Sequence, residues 1–153
     1  MRLTTRTNLA LRTLMFCAVN HDRIVRKSDI ASCCNASENH LGLVVHKLSQ
    51  TGFLNTVRGR NGGIRLNREA ALISVGDVCR IFEACVPFTE CFSEEENTCP
   101  LAGTCRLHGV FTHALEAFYL ALDATTIADL TVGNAGLHRL LELEPTDSTA
   151  PVR

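Results

Sequence analysis

The sequence predicts a mainly α-helical fold with one small β-hairpin and a long helix near the C-terminal end. Three observations predict it. Segments with helical periodicity occupy most of residues 5–50. Two short β-prone runs then enclose Asn61-Gly62-Gly63. A strongly apolar stripe at helical spacing follows within residues 105–122. Three helices and a hairpin, in that order, indicate a winged helix-turn-helix domain with a long helix appended.

The three N-terminal helices are predicted from apolar residues at helical spacing and from capping residues. The first covers residues 5–19. Ser28 is expected to cap a second helix that ends near Cys33, and Ser37 a third that runs to about Gln50. The stripes expected to face the core are Leu11, Leu14, Met15 and Ala18 in the first helix, and Leu41, Val44, Val45 and Leu48 in the third.

The hairpin and the later helices follow from turn and capping residues. Residues 53–57 and 64–66 are β-prone and flank RGRNGG, whose Asn-Gly and Gly-Gly pairs supply the positive φ angles of a tight turn. Ser74 and Asp77 have the spacing of a capping box for a fourth helix that ends near Ala84. Thr126 and Asp129 can cap a short last helix.

The chain is expected to divide into four parts. Residues 1–84 form the winged helix-turn-helix domain, 85–104 an irregular loop, 105–143 a long helix and a short terminal helix, and 144–153 a disordered tail. The apolar face of the long helix either packs on the N-terminal domain or pairs with a second copy. Because one small domain is not expected to cover it, we predict a dimerisation helix with these residues between two subunits: Leu107, Phe111, Leu115, Phe118 and Leu122.

The charge is distributed unevenly along the chain. Residues 1–68 hold eleven Lys/Arg and three Asp/Glu, whereas residues 69–153 hold four and thirteen, so balances of +8 and −9 lie behind a net charge of −1. A basic half predicts a polyanionic partner. No apolar run is long enough for a membrane span, and Arg12 interrupts the N-terminal apolar stretch, so we expect a cytoplasmic protein. The sequence has neither a Ser/His/Asp pattern nor a Gly-rich phosphate-binding pattern, so we do not expect an enzyme.

The third helix and the hairpin together predict a surface that reads double-stranded DNA. In a helix-turn-helix unit the second helix enters the major groove with its N-terminus first, where Asn can pair with adenine. Arginines around a flexible hairpin tip suit the negative potential of a narrow minor groove. The alternative is that these are merely solvent-facing side chains. The predicted DNA contacts are Ser37, Asn39, His40, Lys47, Arg58, Arg60, Asn61 and Arg65.

Three of the eight cysteines lie in or beside the irregular loop, and His108 follows the last of them by three residues. Thiolates on a loop can converge on one iron–sulphur cluster. Zinc and disulphides are alternatives, although the short knuckle spacings of structural zinc sites are absent. Buried, inert thiols are expected for the cysteines in predicted helices. Cys85 lies close enough to the loop to serve as a spare ligand or a redox partner. The loop cysteines are Cys91, Cys99 and Cys105; the helical ones are Cys17, Cys33, Cys34 and Cys79.

Several motifs resemble the Rrf family of winged-helix iron–sulphur regulators over residues 1–143. They are MRLTTRTNLALR at the start, NHL in the third helix, VRGRNGGIRL at 57–66, ISVGDV at 73–78, the three loop cysteines, and TTIADL at 125–130. The resemblance implies a homodimer joined by the long helix, a palindromic operator, and a cluster near the dimer interface held by Cys91, Cys99 and Cys105. A [4Fe-4S] cluster is favoured over [2Fe-2S]. It also implies DNA contacts from helix 37–47 and wing 58–65.

The resemblance leaves the fourth ligand and the signal open. In nitric-oxide-sensing members the fourth ligand is a carboxylate from the first helix of the other subunit, where this chain has Asn8, a poor iron ligand. In the cluster-biogenesis branch it is a histidine that His108 matches. The expected function is a repressor that senses iron status or nitric oxide. Alternatives are a zinc-stabilised DNA-binding protein without a sensing role, and an iron–sulphur electron carrier. Glu38 and Gly42 depart from the family pattern, which predicts a different operator.

Overall fold

The fold is known from a computed structural model, which describes residues 3–60, 62–93 and 97–143. It is mainly helical with one two-stranded antiparallel sheet, as predicted. The strands are β1 (Leu54–Val57) and β2 (Gly63–Leu66), and single 3₁₀ turns cover Ala70–Leu72 and Glu90–Phe92. The α-helices are α1 (Thr5–Val19), α2 (Lys27–Cys33), α3 (Glu38–Gln50), α4 (Val75–Glu83), α5 (Arg106–Asp123), α6 (Ile127–Thr131) and α7 (Ala135–Leu141).

Capping residues set the starts of the helix-turn-helix elements. The Ser37 hydroxyl caps α3 by accepting a hydrogen bond from the His40 N–H at 3.2 Å, as predicted. The predicted Ser28 cap of α2 is wrong, because α2 begins two residues earlier, at Lys27, with Arg26 at the cap position. The Arg26 N–H donates to the Asp29 carboxylate at 3.2 Å, which satisfies a backbone donor without help from Ser28.

One hydrophobic core lies between α1, α3, α4, α6 and the hairpin. The whole predicted stripe of α3 is buried there. The predicted stripe of α1 also faces the core, but only Leu14 is fully buried, whereas Leu11, Met15 and Ala18 pack against the core and are half-buried. The reason is that α1 is covered on one side by α3 and α4 and on another by α6, so a wider arc of it is buried. Its buried apolar residues are Leu9, Ala10, Leu14, Phe16, Cys17 and Val19.

The hairpin 54–66, called the wing below, is tied to the start of the helix-turn-helix unit. Leu54 pairs with Leu66 and Val57 with Gly63 across the two strands. Val25 adds a further bridge, because its N–H donates to the Ile64 carbonyl at 2.9 Å and its carbonyl accepts from the Ile64 N–H at 2.8 Å. A Cβ at position 63 would lie 2.4 Å from the Val25 carbonyl oxygen, so this close approach requires glycine.

The C-terminal segment runs back onto the N-terminal domain. Thr126 and Asp129 form the capping box of α6, as predicted. The sequence did not predict α7, which Asn134 caps. The buried Asn20 holds the end of α7, donating to the Leu141 carbonyl at 2.8 Å and accepting from the Leu143 N–H at 3.0 Å. No helix in the described ranges is long and apolar enough to cross a membrane. The predicted disordered tail, 144–153, lies outside the described residues.

Candidate functional site

The outer face of α3 carries the side chains that were predicted to read DNA. Asn39 and Lys47 are exposed, and His40 is half-buried. Ser37 is exposed, but its hydroxyl already caps the helix. It therefore stabilises the start of α3 and is also a candidate DNA contact. Because the opposite face of α3 is locked into the core, these polar side chains are presented on a rigid element.

The wing adds exposed cations beside α3. Arg58, Arg60 and Arg65 are all exposed, whereas Asn61 lies outside the described residues. By contrast, the Arg68 guanidinium stacks 4.7 Å from the Phe53 ring centroid and donates to the Gly52 carbonyl oxygen, so it has a structural role.

A groove of about 550 Å³ separates the wing from α3 and the start of α2. Sequence reasoning missed three of its polar lining residues, Arg26, Lys27 and His46. The signal available for two of them was the basic pair Arg26-Lys27 at the start of α2, the first helix of the helix-turn-helix unit. Cations at that position can contact phosphates on either side of a bound groove.

The loop between α4 and α5 carries the three candidate ligand cysteines. Cys91 lies on a 3₁₀ turn, Cys99 in the segment that precedes α5, and Cys105 at the N-cap of α5. All three cysteines are free and half-buried. The Glu90 carboxylate accepts hydrogen bonds from the Thr98 N–H at 2.8 Å and the Thr98 hydroxyl at 2.5 Å. These two bonds hold the neighbours of Cys91 and Cys99 together. They also lower the pKa of Glu90 below its usual range, the hydroxyl bond most strongly.

Aromatic contacts fasten this loop to α5. The Phe88 ring packs edge-on against Phe92 and Phe111, with centroid separations of 6.1 and 5.4 Å. The Phe92 ring stacks on the His108 imidazole at 4.5 Å. His108, the candidate fourth ligand, therefore lies against the residue next to Cys91.

The described residues do not form an assembled metal site. Within residues 3–60, 62–93 and 97–143, no group of three His, Cys, Asp or Glu side chains is arranged to hold a metal ion. The structure thus places the three thiols and His108 on one loop and the adjoining helical turn, without gathering them around one point. Asn8, the other candidate ligand, is exposed on α1. The donor set of soft thiols on a loop nevertheless fits the chemistry of an iron–sulphur cluster.

The remaining cysteines differ in burial. Burial raises the pKa of Cys17 to about 12 and that of Cys79 to about 11, with the Glu83 charge adding to the latter. Burial also raises the pKa of Cys34. These thiols are therefore protonated and poor ligands at neutral pH. The expectation for Cys33 is wrong, because it lies on the exposed side of α2 at its C-terminal end; Cys85 is exposed as well.

The side of α4 that carries Gly76 and Arg80 is fastened to α5. The Arg80 guanidinium donates two hydrogen bonds to the Asp123 carboxylate, at 2.6 and 2.5 Å, and lies 4.8 Å from the Tyr119 ring centroid. These hydrogen bonds, chiefly, lower the pKa of Asp123 below its usual range. Asp123 packs so closely on α4 that a Cβ on Gly76 would lie 1.9 Å from its Oδ1.

The C-terminal end of α4 is fastened to α1 through Glu83. The Glu83 carboxylate accepts hydrogen bonds from the Thr4 N–H at 2.8 Å, the Thr4 hydroxyl at 3.0 Å, and the Thr7 hydroxyl. Through these two attachments α4 joins the long helix α5 to α1, and so to the helix-turn-helix unit and the wing, which together are called the reading domain below (residues 5–66). The thiol-bearing loop begins directly after α4.

The apolar face of α5 is only partly covered within one chain. Of the residues predicted to lie between subunits, Leu107 is exposed, whereas Phe111, Leu115, Phe118 and Leu122 are half-buried on the side that faces α4 and the loop. An exposed apolar stripe lies beside them at alternating spacings of three and four residues. Its members are Leu107, Val110, Ala114, Ala117 and Ala121.

Comparison with known proteins gives consistent matches over almost the whole chain. Residues 3–133 match the family described as Rrf2, iron-dependent transcriptional regulator. The chain is 43% identical over 143 residues to the HTH-type transcriptional regulator NsrR of Geobacillus kaustophilus, covering 93% of this chain and 97% of the relative. It is 41% identical over 144 residues to protein aau3 of Rhizobium meliloti, covering 94% of each.

Solved structures show the same architecture. CymR, the global cysteine regulator of B. subtilis, superposes with a TM-score of 0.67 at 25% identity, covering 86% of this chain and 96% of that one. IscR of T. potens superposes with a TM-score of 0.65 at 25% identity, covering 85% of each chain.

Proposed function

We propose that this chain, which belongs to the Rrf2 family of transcriptional regulators, is a repressor whose affinity for DNA is set by an iron–sulphur cluster on Cys91, Cys99 and Cys105. As a member of that family it is a DNA-binding regulator of transcription and not an enzyme. The observation that supports control of DNA binding by the cluster is the connection between the loop and the reading domain. The loop that bears the three thiols connects α4 to α5, and α4 is bonded to both α5 and the reading domain.

On the DNA side, α3 would enter the major groove with its N-terminus first. Asn39 and His40 would then face base edges, and Lys47 a phosphate further along. The exposed wing arginines, Arg58 and Arg60, would reach into the neighbouring minor groove.

A homodimer would place two such reading heads on a palindromic operator. We assign its seam to the exposed stripe of α5, because alternating three- and four-residue spacing is the pattern of helices that pack side by side. Ala114, Ala117 and Ala121 leave the two helix backbones room to approach closely, while Leu107 and Val110 supply apolar area.

The cluster would be held at the N-terminal end of α5. When bound, it supplies an iron centre that can be lost or chemically altered, which makes it a suitable sensor. Cys105 is the N-cap of α5, so its thiol lies beside backbone N–H groups that have no partner within the helix. His108 is the better candidate for fourth ligand than Asn8, because a neutral amide is a poor ligand for iron. We favour a [4Fe-4S] over a [2Fe-2S] cluster.

Because the thiols are not gathered around one point among the described residues, loading would require Cys91, Cys99 and Cys105 to come closer together. Such closure moves the start of α5, to which Phe92 and Phe88 are attached through His108 and Phe111. The bonds from α4 then carry the displacement to the reading domain. Without the cluster the three cysteines would be free to separate again, and we propose iron status or nitric oxide as the signal.

Anaerobic purification tests this function. We expect a coloured protein that contains iron and acid-labile sulphide, binds a defined operator, and changes its operator affinity after treatment with nitric oxide or an iron chelator. Which treatment acts at the lower concentration identifies the signal. A colourless protein that binds DNA and contains zinc would establish the zinc-stabilised alternative, and a coloured protein with no affinity for DNA would establish the electron carrier. We place its action in the cytoplasm, where DNA and reduced thiols occur together.

A further inference from the structure

Glu38 is an acidic residue on a surface that is otherwise basic. It is the only Asp or Glu between residues 30 and 68. The two other acids of the basic half have partners within the chain: Asp22 lies 3.6 Å from the Arg23 guanidinium, and Asp29 accepts the Arg26 N–H. Glu38 has no hydrogen bond or ion pair to any residue that the structure describes.

Glu38 lies at the N-terminal end of α3, the end predicted to enter the major groove first. Glu38 is the first residue of α3, is exposed, and borders the groove together with Arg26, Lys27 and Arg58. An acid there repels DNA phosphates and therefore lowers affinity for DNA of any sequence. In the major groove, however, a carboxylate can accept a hydrogen bond from the N4 amino group of cytosine.

Gly42 lies one helical turn after Glu38 and lines the same groove. Glycine within a helix is destabilising relative to alanine, and this one is not required by packing, since a Cβ would meet no heavy atom within 4 Å. A missing side chain beside an exposed carboxylate leaves space on this face of α3 for the edge of a base pair.

We propose that Glu38 accepts a hydrogen bond from the N4 amino group of a cytosine in each operator half-site, and that Gly42 allows α3 to approach that base pair closely. The inference rests on the proposed function, because it requires α3 to be the DNA-reading helix. It adds the chemistry of one read position, and it gives the isolated acid a role in selectivity through both attraction to cytosine and repulsion from other DNA.

The test is selection of binding sites from a randomised duplex pool by the full-length protein. The wild type is compared with Glu38→Gln and with Glu116→Gln, a matched charge change at an exposed position on α5. We expect the wild type to select cytosine at one position of each half-site. Glu38→Gln should lose that preference by about tenfold, shift toward adenine, with which glutamine pairs, and bind unrelated DNA more tightly. Glu116→Gln should behave as the wild type.

The outcomes distinguish failure of the proposed function from failure of the role of Glu38. If the wild type selects no sequence, the proposed function fails. If it selects a sequence and Glu38→Gln selects the same one with equal discrimination, only the role of Glu38 is overturned; a lowered melting temperature in that variant would then assign Glu38 to the helix dipole alone. Gly42→Ala is a second check that does not depend on folding, because alanine favours the helix. It should raise the melting temperature and weaken operator binding about tenfold; unchanged operator affinity would contradict close approach.

Discussion

The seam assigned to α5 can be tested by placing a charge in it. Val110 is the second of the five residues of the exposed stripe and is 60% exposed in the single chain, and Leu107 is 52% exposed. Complete burial of such a side chain is worth about 1.5–3 kcal/mol, so the part still exposed contributes about 1–1.5 kcal/mol when a second copy covers it. The four side chains of a symmetric pair together supply about 4–6 kcal/mol.

Val110→Lys removes the two valine contributions, about 2–3 kcal/mol, and brings two ammonium groups into the seam. The dimer dissociation constant should therefore rise by about 30- to 150-fold or more. Sedimentation equilibrium over a range of protein concentrations measures this change. The matched control is Glu116→Lys, which alters charge on an exposed part of α5 outside the stripe and should leave the constant nearly unchanged.

Equal dissociation constants for Val110→Lys and the wild type would refute the assignment of the seam to this stripe. A wild type that is monomeric at every concentration would refute the dimer itself. Circular dichroism of the variant distinguishes either result from unfolding, since Val110 makes little contribution to the core of one chain.

Three further predictions concern the wing and the α4–α5 attachment. Arg60→Ala should flatten the dependence of log K on log salt by ~1 while leaving the melting temperature unchanged; an unaltered slope would remove the wing from the DNA interface. Because Arg80 holds the pKa of Asp123 below its usual range, the carboxylate stabilises the fold above its usual pKa, and this contribution is lost as the pH falls through the lowered value. The stability difference between wild type and Asp123→Asn should accordingly be largest at neutral pH and vanish in acid; a difference independent of pH would argue against the ion pair. Gly76→Ala should lower the free energy of unfolding by about 1–3 kcal/mol, since its Cβ overlaps Asp123, and an unchanged denaturation midpoint would show that α5 is not tightly held there.

The sequence predicts elements well where one physical signal dominates. The stripe of α3 is fully buried as predicted, because its other face is polar and only one orientation hides the apolar residues. The position of the wing is also predicted, since Gly62 and Gly63 lie between two β-prone runs and the backbone approach of Val25 to position 63 excludes a side chain. The positive φ angles expected at these two glycines are wrong, because among the described residues of the wing the positive φ angle lies at Gly59.

Predictions from the sequence fail where tertiary contacts determine which residues are buried or whether a short helix forms. The core-facing side of α1 depends on α6, a helix more than a hundred residues away in the chain, so periodicity in α1 alone identified only part of it. The short helix α7 has little apolar periodicity and is held by the buried Asn20, a contact that no local pattern reveals. Cys33 is exposed although it lies in a helix, because α2 is short and only Ile30 and Ala31 of it are buried.

The candidate site divides in the same way. Residue types and spacing were sufficient to place cations on the wing and three thiols on one loop. They could not reveal how the loop is attached, which depends on stacking between Phe92 and His108 and on hydrogen bonds from Thr98 to Glu90. Nor could they reveal the bonds that join α4 to α5 and α1, through which the loop and the reading domain are connected.

The property that defines the proposed regulator is the dependence of its DNA affinity on a cluster held by the loop cysteines. Its most direct test is the operator dissociation constant of anaerobically purified protein, measured together with iron and acid-labile sulphide, for the wild type, Cys99→Ser and the control Cys17→Ser. We predict that the wild type and Cys17→Ser contain the cluster and lose their operator affinity when it is removed, whereas Cys99→Ser contains little iron and binds the operator like the stripped wild type. A Cys99→Ser protein with the iron content and operator affinity of the loaded wild type would contradict this dependence.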